Sequence, residues 1–97
     1  MIIAWGSIEA KPDALNEVSR LSLEHVKRSR GEPGCISHSV QRDVENPNRF
    51  IFFEQWQDMH ALQTHFAVPE SQGFVTSVTE LAVSAPEIKI FDSSQVN

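Results

Sequence analysis

Apolar and polar positions along this chain change period several times, and each change marks an element. Residues 2–10 (IIAWGSIEA) are rich in β-forming side chains and stop at Lys11-Pro12-Asp13, where proline interrupts a strand and can open a helix. From Ala14 to Arg30 the period is helical: at about 100° per residue, Ala14, Leu15, Val18, Leu21 and Val26 share one side. Asp13, Glu17, Arg20, Glu24, Lys27 and Arg28 fall on the other. The helix must end before Glu32-Pro33-Gly34, because the residue ahead of a proline is pushed out of the α region and glycine permits a sharp turn.

Alternation returns over residues 35–44 (CISHSVQRDV), with Ile36, His38, Val40 and Val44 on one face and Cys35, Ser37, Ser39 and Gln41 on the other. The turn formers Glu45-Asn46-Pro47-Asn48 lead directly into residues 49–56 (RFIFFEQW), which predicts a hairpin. That second strand is apolar on both faces: Phe50, Phe52 and Trp56 point one way, Ile51 and Phe53 the other. Helices from so short a chain can cover one face, so a second copy of the chain is the simplest cover for the other. Asp58 can cap a helix over residues 59–66, and Pro69 suits the first position of another carrying Phe74, Val75, Val78, Leu81 and Ala82. Pro86 breaks the chain before a last strand, Ile88 to Phe91. The order β-α-β-β-α-α-β predicts an α+β fold of the ferredoxin-like, split βαβ kind, with its second helix divided.

With 97 residues the chain is one domain, 1–97, and its 40% hydrophobic content is that of a globular protein. A net charge of -5 argues against nucleic acid as a partner, since a phosphate-binding face needs clustered Lys and Arg. Lys27-Arg28-Ser29-Arg30 is read as the solvated last turn of a helix, where cations suit the dipole. The lone Cys35 cannot form an internal disulfide, and there is no zinc-type cysteine pattern. No apolar run approaches a membrane span and the first residues do not read as a signal peptide, so no membrane partner and a cytoplasmic location are expected.

His25 lies centrally on the apolar side of the first helix and should face inward with Ser22 and Ser29. A core histidine is the ordinary reading; two serines beside it raise the alternative of a ligand site, where a few polar groups converge among apolar ones. His65 neighbours Leu62 and Phe66 on its short helix and also faces inward, while His60 faces solvent. Both inward histidines can exchange protons near neutral pH. Glu54 shares the face of Phe50, Phe52 and Trp56 and needs a partner or a raised pKa; Arg42, one strand away, is the expected partner. Trp56 is a core residue or a stacking wall for an aromatic ligand, and His38 is taken as structural. No pair of histidines has the spacing of inward metal ligands, so no metal is expected, and no glycine-rich phosphate loop or nucleophile elbow occurs.

Ser29-Arg30-Gly31-Glu32-Pro33-Gly34-Cys35, then Phe53-Glu54-Gln55-Trp56-Gln57-Asp58, then Ala61-Leu62-Gln63-Thr64-His65 and Phe74, resemble the antibiotic biosynthesis monooxygenase (ABM) domain family in order and spacing. The resemblance runs from the first strand to Ile88-Lys89-Ile90. It implies a dimeric α+β barrel in which two ferredoxin-like sheets pack together, each subunit holding a cavity between sheet and helices. Trp56 and His65 match the family's tryptophan and histidine, His25 a histidine of some members, and Glu54 the acid before the tryptophan. Where many relatives carry a further histidine after a proline, this chain has Glu70, and its first strand reads Trp5-Gly6-Ser7 where the haem-degrading branch uses an asparagine. Haem degradation is therefore disfavoured.

The expectation is a cofactor-independent monooxygenase that acts on a phenolic or quinol-type small molecule and O2. His65 and His25 would be its catalytic pair, with Trp56, Glu54, Ser22 and Phe74 against the substrate. Two alternatives stand beside it. One is an isomerase or lyase using the histidines as acid and base; a phosphorylated substrate is disfavoured because no Lys or Arg is seen on the inward helical faces. The other is a non-catalytic dimer that holds a small ligand.

Overall fold

In the computed structural model, which describes residues 1–97, the chain runs β1 (Ile2–Glu9), a single 3₁₀ turn (Pro12–Ala14), α1 (Leu15–Ser29), β2 (Cys35–Arg42), β3 (Arg49–Trp56), α2 (Met59–Ala67), α3 (Pro69–Leu81) and β4 (Glu87–Asp92). The four strands form one antiparallel sheet in the order β2-β3-β1-β4. This is the ferredoxin-like arrangement with a divided second helix. The divide falls where the spacing put it: Asp58 accepts from the Ala61 amide at 2.8 Å to cap α2, and Pro69 opens α3.

The helices cover one sheet face. Ile2, Ala4 and Ile8 of β1 and Phe50, Phe52, Glu54 and Trp56 of β3 all point to that side and are buried. Toward one end, Val18 and Val26 of α1 and Val78 of α3 close over Ile8, Phe50 and Phe52. At the other end, Ala61 and Leu62 of α2 pack with Ile2, Ala4 and Trp56. The opposite sheet face carries Ile51 and Phe53 with no helix of this chain over it, and Phe53 is 38% exposed.

Two details of β2 correct the alternation. The strand ends at Arg42, because the Asp43 carboxylate turns back to accept from the Glu45 amide at 2.9 Å, and Val44 is left in solvent. At its start, Cys35 pairs with Trp56 and Ser37 with Gln55, so a bulge gives this strand one extra residue. Cys35 therefore shares the helix-covered side with Trp56 and packs against the cluster that Trp56 forms with Ile2, Ala4, Ala61 and Leu62, while Ile36 is 56% exposed. Gly34, just ahead, has a φ of 83° and abuts α2: a Cβ there would stand 2.5 Å from the Ala61 Cβ. Only glycine fits on both counts. No helix of the chain is long and apolar enough to cross a membrane.

Candidate functional site

A cavity of about 480 Å³ lies between the helix-covered side of the sheet and α2 and α3. His25, Phe52, Glu54, His65, Phe74 and Val78 are among its walls, so three of its ionisable groups come from three different elements. Helical spacing brings His25 in from α1, strand alternation brings Glu54 up from β3, and the capped start of α2 sets the phase that turns His65 inward.

His38 joins them. Its ring centroid lies 5.3 Å from that of His25 and 5.6 Å from that of His65, and the last two are 5.1 Å apart. Strand register explains this: His38 pairs with Glu54 across β2 and β3, so both side chains rise on one face beneath the helices. The expectation that His38 is merely structural, with no helical neighbour, is thus overturned. Both of its ring nitrogens are buried without a hydrogen-bond partner.

Two charged side chains buttress the cluster from behind. Arg28 Nη2 donates to His25 Nδ1 at 2.8 Å and to Ser71 Oγ at 3.1 Å. Glu32 Oε1 lies 2.6 Å from His65 Nδ1 and accepts its proton, and the second Glu32 oxygen is 3.7 Å from Arg28 Nε. Arg30 turns the other way to donate to the His38 carbonyl at 3.0 Å. Of the three basic residues at the end of α1, Arg28 is therefore built into the site and Arg30 is tied to β2, against the solvated turn expected of them, and an inward arginine does exist. Arg28 was legible in principle, since i and i+3 side chains meet on a helix and it stands three residues beyond His25. Glu32 was not, because it sits in the turn and reaches His65 only through space.

Glu54 also departs from expectation. Arg42 sits over the Phe50 ring instead of beside it, and the carboxyl accepts from Trp56 Nε1 at 2.9 Å. His38 Nε2 is 3.6 Å from one carboxyl oxygen and His65 Nε2 is 3.8 Å from the other. Burial pushes the Glu54 carboxyl up to about 7, with Trp56 drawing it down and Glu32 adding to the rise. The histidines move the opposite way. Burial, with its two neighbouring imidazoles and Arg28, holds His25 down at about 2. Burial followed by His65, Arg30 and Arg28 brings His38 to about 3. His65 is also lowered, first by burial, with its bond to Glu32 pulling back. Burial thus favours the neutral form of all three rings and the protonated form of Glu54.

The remaining residues divide. Phe74 lines the cavity and stacks on His25 with centroids 4.1 Å apart and planes 6° from parallel. Trp56 is fully buried behind the cavity, its ring 4.7 Å from that of His65, so it backs the histidine. Ser22 lies apart from the cavity, buried without a partner beside a smaller groove against β2. The interval of one turn between Ser22 and His25 carries it toward the other end of the sheet.

Three buried histidines invite a metal, and one ring nitrogen from each lies within 4.8 Å of the others. The hydrogen bonds do not favour it. A metal ligand needs a free lone pair. Arg28, which cannot give up its proton, occupies that of His25 Nδ1 and places its own charge beside the cluster.

The antibiotic biosynthesis monooxygenase family model matches residues 1–77. An uncharacterised protein of Synechocystis is 41% identical over 93% of this chain, which spans 61% of that relative's length. Among solved structures, an antibiotic biosynthesis monooxygenase is 26% identical over 98% of this chain and all of its own, with a TM-score of 0.91. A Deinococcus radiodurans protein provisionally assigned the same activity superposes at a TM-score of 0.95, with 24% identity over 100% of this chain and 96% of that one. Fold, motif order and the family match over most of the chain agree: it belongs to the antibiotic biosynthesis monooxygenase family.

Proposed function

We propose that this protein is a monooxygenase for a phenolic or quinol-type small molecule, working with O2 and without metal or flavin. The observation that carries the reading is His65 on the wall of a largely apolar cavity, its Nδ1 held by Glu32 and burial favouring its neutral form. Its Nε2 takes the substrate's hydroxyl proton, and an electron-rich anion held away from water is the species that O2 attacks. The electrons balance within the substrate: a quinol and O2 give a hydroxyquinone and water, with no outside reductant. Phe74 and His25, stacked on one another, form a flat wall suited to a ring.

Purified protein stripped of metal and flavin should consume oxygen with some member of a phenol and hydroquinone panel. His65→Ala should cut that rate by about 10²- to 10⁴-fold. No uptake with any compound would sink the proposal. One observation supports a second reading, an isomerase or lyase: Glu54 is raised while His65 is lowered, a pairing that suits acid and base roles without oxygen. Turnover under anaerobic conditions would select it.

We further propose a homodimer closed through the open sheet face, where Ile3, Trp5, Ile51, Phe53 and Phe91 present side chains that a lone chain leaves to water. Phe53→Glu should halve the mass seen by light scattering while changing the stability of the chain itself by less than about 1 kcal/mol.

A further inference from the structure

We propose that Arg28 and Glu32 impose opposite tautomers on His25 and His65, so that the cavity wall offers one N–H donor beside one lone-pair acceptor for a single hydroxyl oxygen. The inference rests on the cavity being the ligand site, and it assigns the two histidines different work.

A neutral imidazole has one N–H and one lone pair, and whichever nitrogen a neighbour engages decides the role of the other. Arg28 is a donor only, so the 2.8 Å contact to His25 Nδ1 requires a lone pair there and leaves the ring proton on Nε2. Glu32 is an acceptor, so the 2.6 Å contact to His65 Nδ1 requires the proton there and leaves the lone pair on Nε2. Neither Nε2 has a hydrogen-bond partner in the protein. Unlike both nitrogens of His38, neither is sealed off among the buried unpartnered atoms. Both rings line the cavity.

The two buttresses are linked. Arg28 and Glu32 stand four residues apart at the end of α1, with Arg28 Nε 3.7 Å from Glu32 Oε2, so each also holds the other. The same Nη2 of Arg28 also donates to Ser71 Oγ of α3 at 3.1 Å, which fixes the guanidinium between the two helices. The spacing suits one oxygen. Two hydrogen bonds of about 2.8 Å meeting at a tetrahedral oxygen separate their nitrogens by about 4.6 Å. His25 and His65 each offer a ring nitrogen within 4.8 Å of the other's, and their ring centroids are 5.1 Å apart, a separation of that order. A phenolic or enolic hydroxyl there donates to His65 and accepts from His25. When its proton moves to His65, the oxyanion keeps the His25 N–H. His25 is thus an anion-stabilising donor and not a second base, while Arg28 and Glu32 are positioning residues.

Long-range 15N–1H spectra of the imidazoles test the tautomers without any activity. At neutral pH His65 should show the proton on Nδ1 and His25 on Nε2, and the same tautomer on both rings would overturn the inference. Titration with 4-nitrophenol and its methyl ether adds a binding readout, since the ether cannot donate. The phenol should bind roughly tenfold more tightly. Arg28→Met and Glu32→Gln should each erase that preference and mix the tautomers; variants that keep both would overturn the proposal. Should a variant fail to fold, the wild-type spectra still decide. Opposite tautomers in a protein that consumes no oxygen would refute the monooxygenase reading and leave this inference standing.

Discussion

Along the helix-covered sheet face, β3 is used in opposite ways at its apolar start and at its middle. At one end Phe50 and Phe52 meet Ile8, Val18, Val26 and Val78, all apolar and all buried. Two residues on, Glu54 rises into His25, His38 and His65, equally buried but ionisable. The first end gains from every side chain it buries, whereas the second places groups that prefer water where little water reaches. The chain tolerates the polar stretch because the sheet and the apolar clusters on either side of it, Phe50 and Phe52 with Val18 and Val78 and Trp56 with Ile2 and Leu62, hold it in place. Site and core are one layer with its composition changed part-way along.

Substitutions can sharpen that contrast. The largest effect is expected at the apolar end, where Phe52→Ala should cost about 3–5 kcal/mol in urea unfolding, a loss below about 1 kcal/mol showing that Phe52 does not anchor the core. Glu54→Gln probes the polar end through pH. The Glu54 carboxyl is raised from 4.5 to about 7, so its contribution to stability is fully present below about 4.5 and is lost as pH rises through about 7. At 1.36 kcal/mol per unit the swing is about 3 kcal/mol, and the variant should gain on the wild type across that window. A difference that stays flat with pH would show that Glu54 titrates normally. The histidines work in the other direction: with pKa values lowered by burial, they destabilise the fold as pH falls below 6.5. His38→Leu, which replaces two unpartnered buried nitrogens with carbon, should therefore stabilise by about 1–2 kcal/mol near neutral pH and by more at about pH 5. Loss of stability at both would mean that His38 has a partner.

The fold was legible because period survives translation into structure. Alternation at Phe50 to Trp56, helical spacing at Ala14 to Arg30 and the stop at Pro33-Gly34 each correspond to an element boundary to within a few residues. His25 and His65 were legible for the same reason, each being inward by the phase of its own helix. The remainder of the cluster depends on tertiary facts. His38 meets them only through strand order and register and Glu32 only because the turn after α1 folds over α2, whereas Arg28 was within reach of His25 by helical spacing, and only the inward bend of its long side chain is tertiary. Periodicity treats each element alone, and a site drawn from five of them is where that reading stops.

The bulge at Cys35 to Ser37 has a consequence for length variation. A strand side chain's face is a matter of odd and even, yet Cys35 and His38, three apart, share a side. Ile36 is the surplus residue that reconciles them. It lets the turn be anchored by Gly34 and Cys35 against α2 while His38 keeps its place under α1. Deleting Ile36 would leave a regular ladder with both anchors, Cys35 and His38, still facing the helices. This is a position where the chain can lose a residue without moving its chemistry, and a comparison of lengths between relatives should find its gap here.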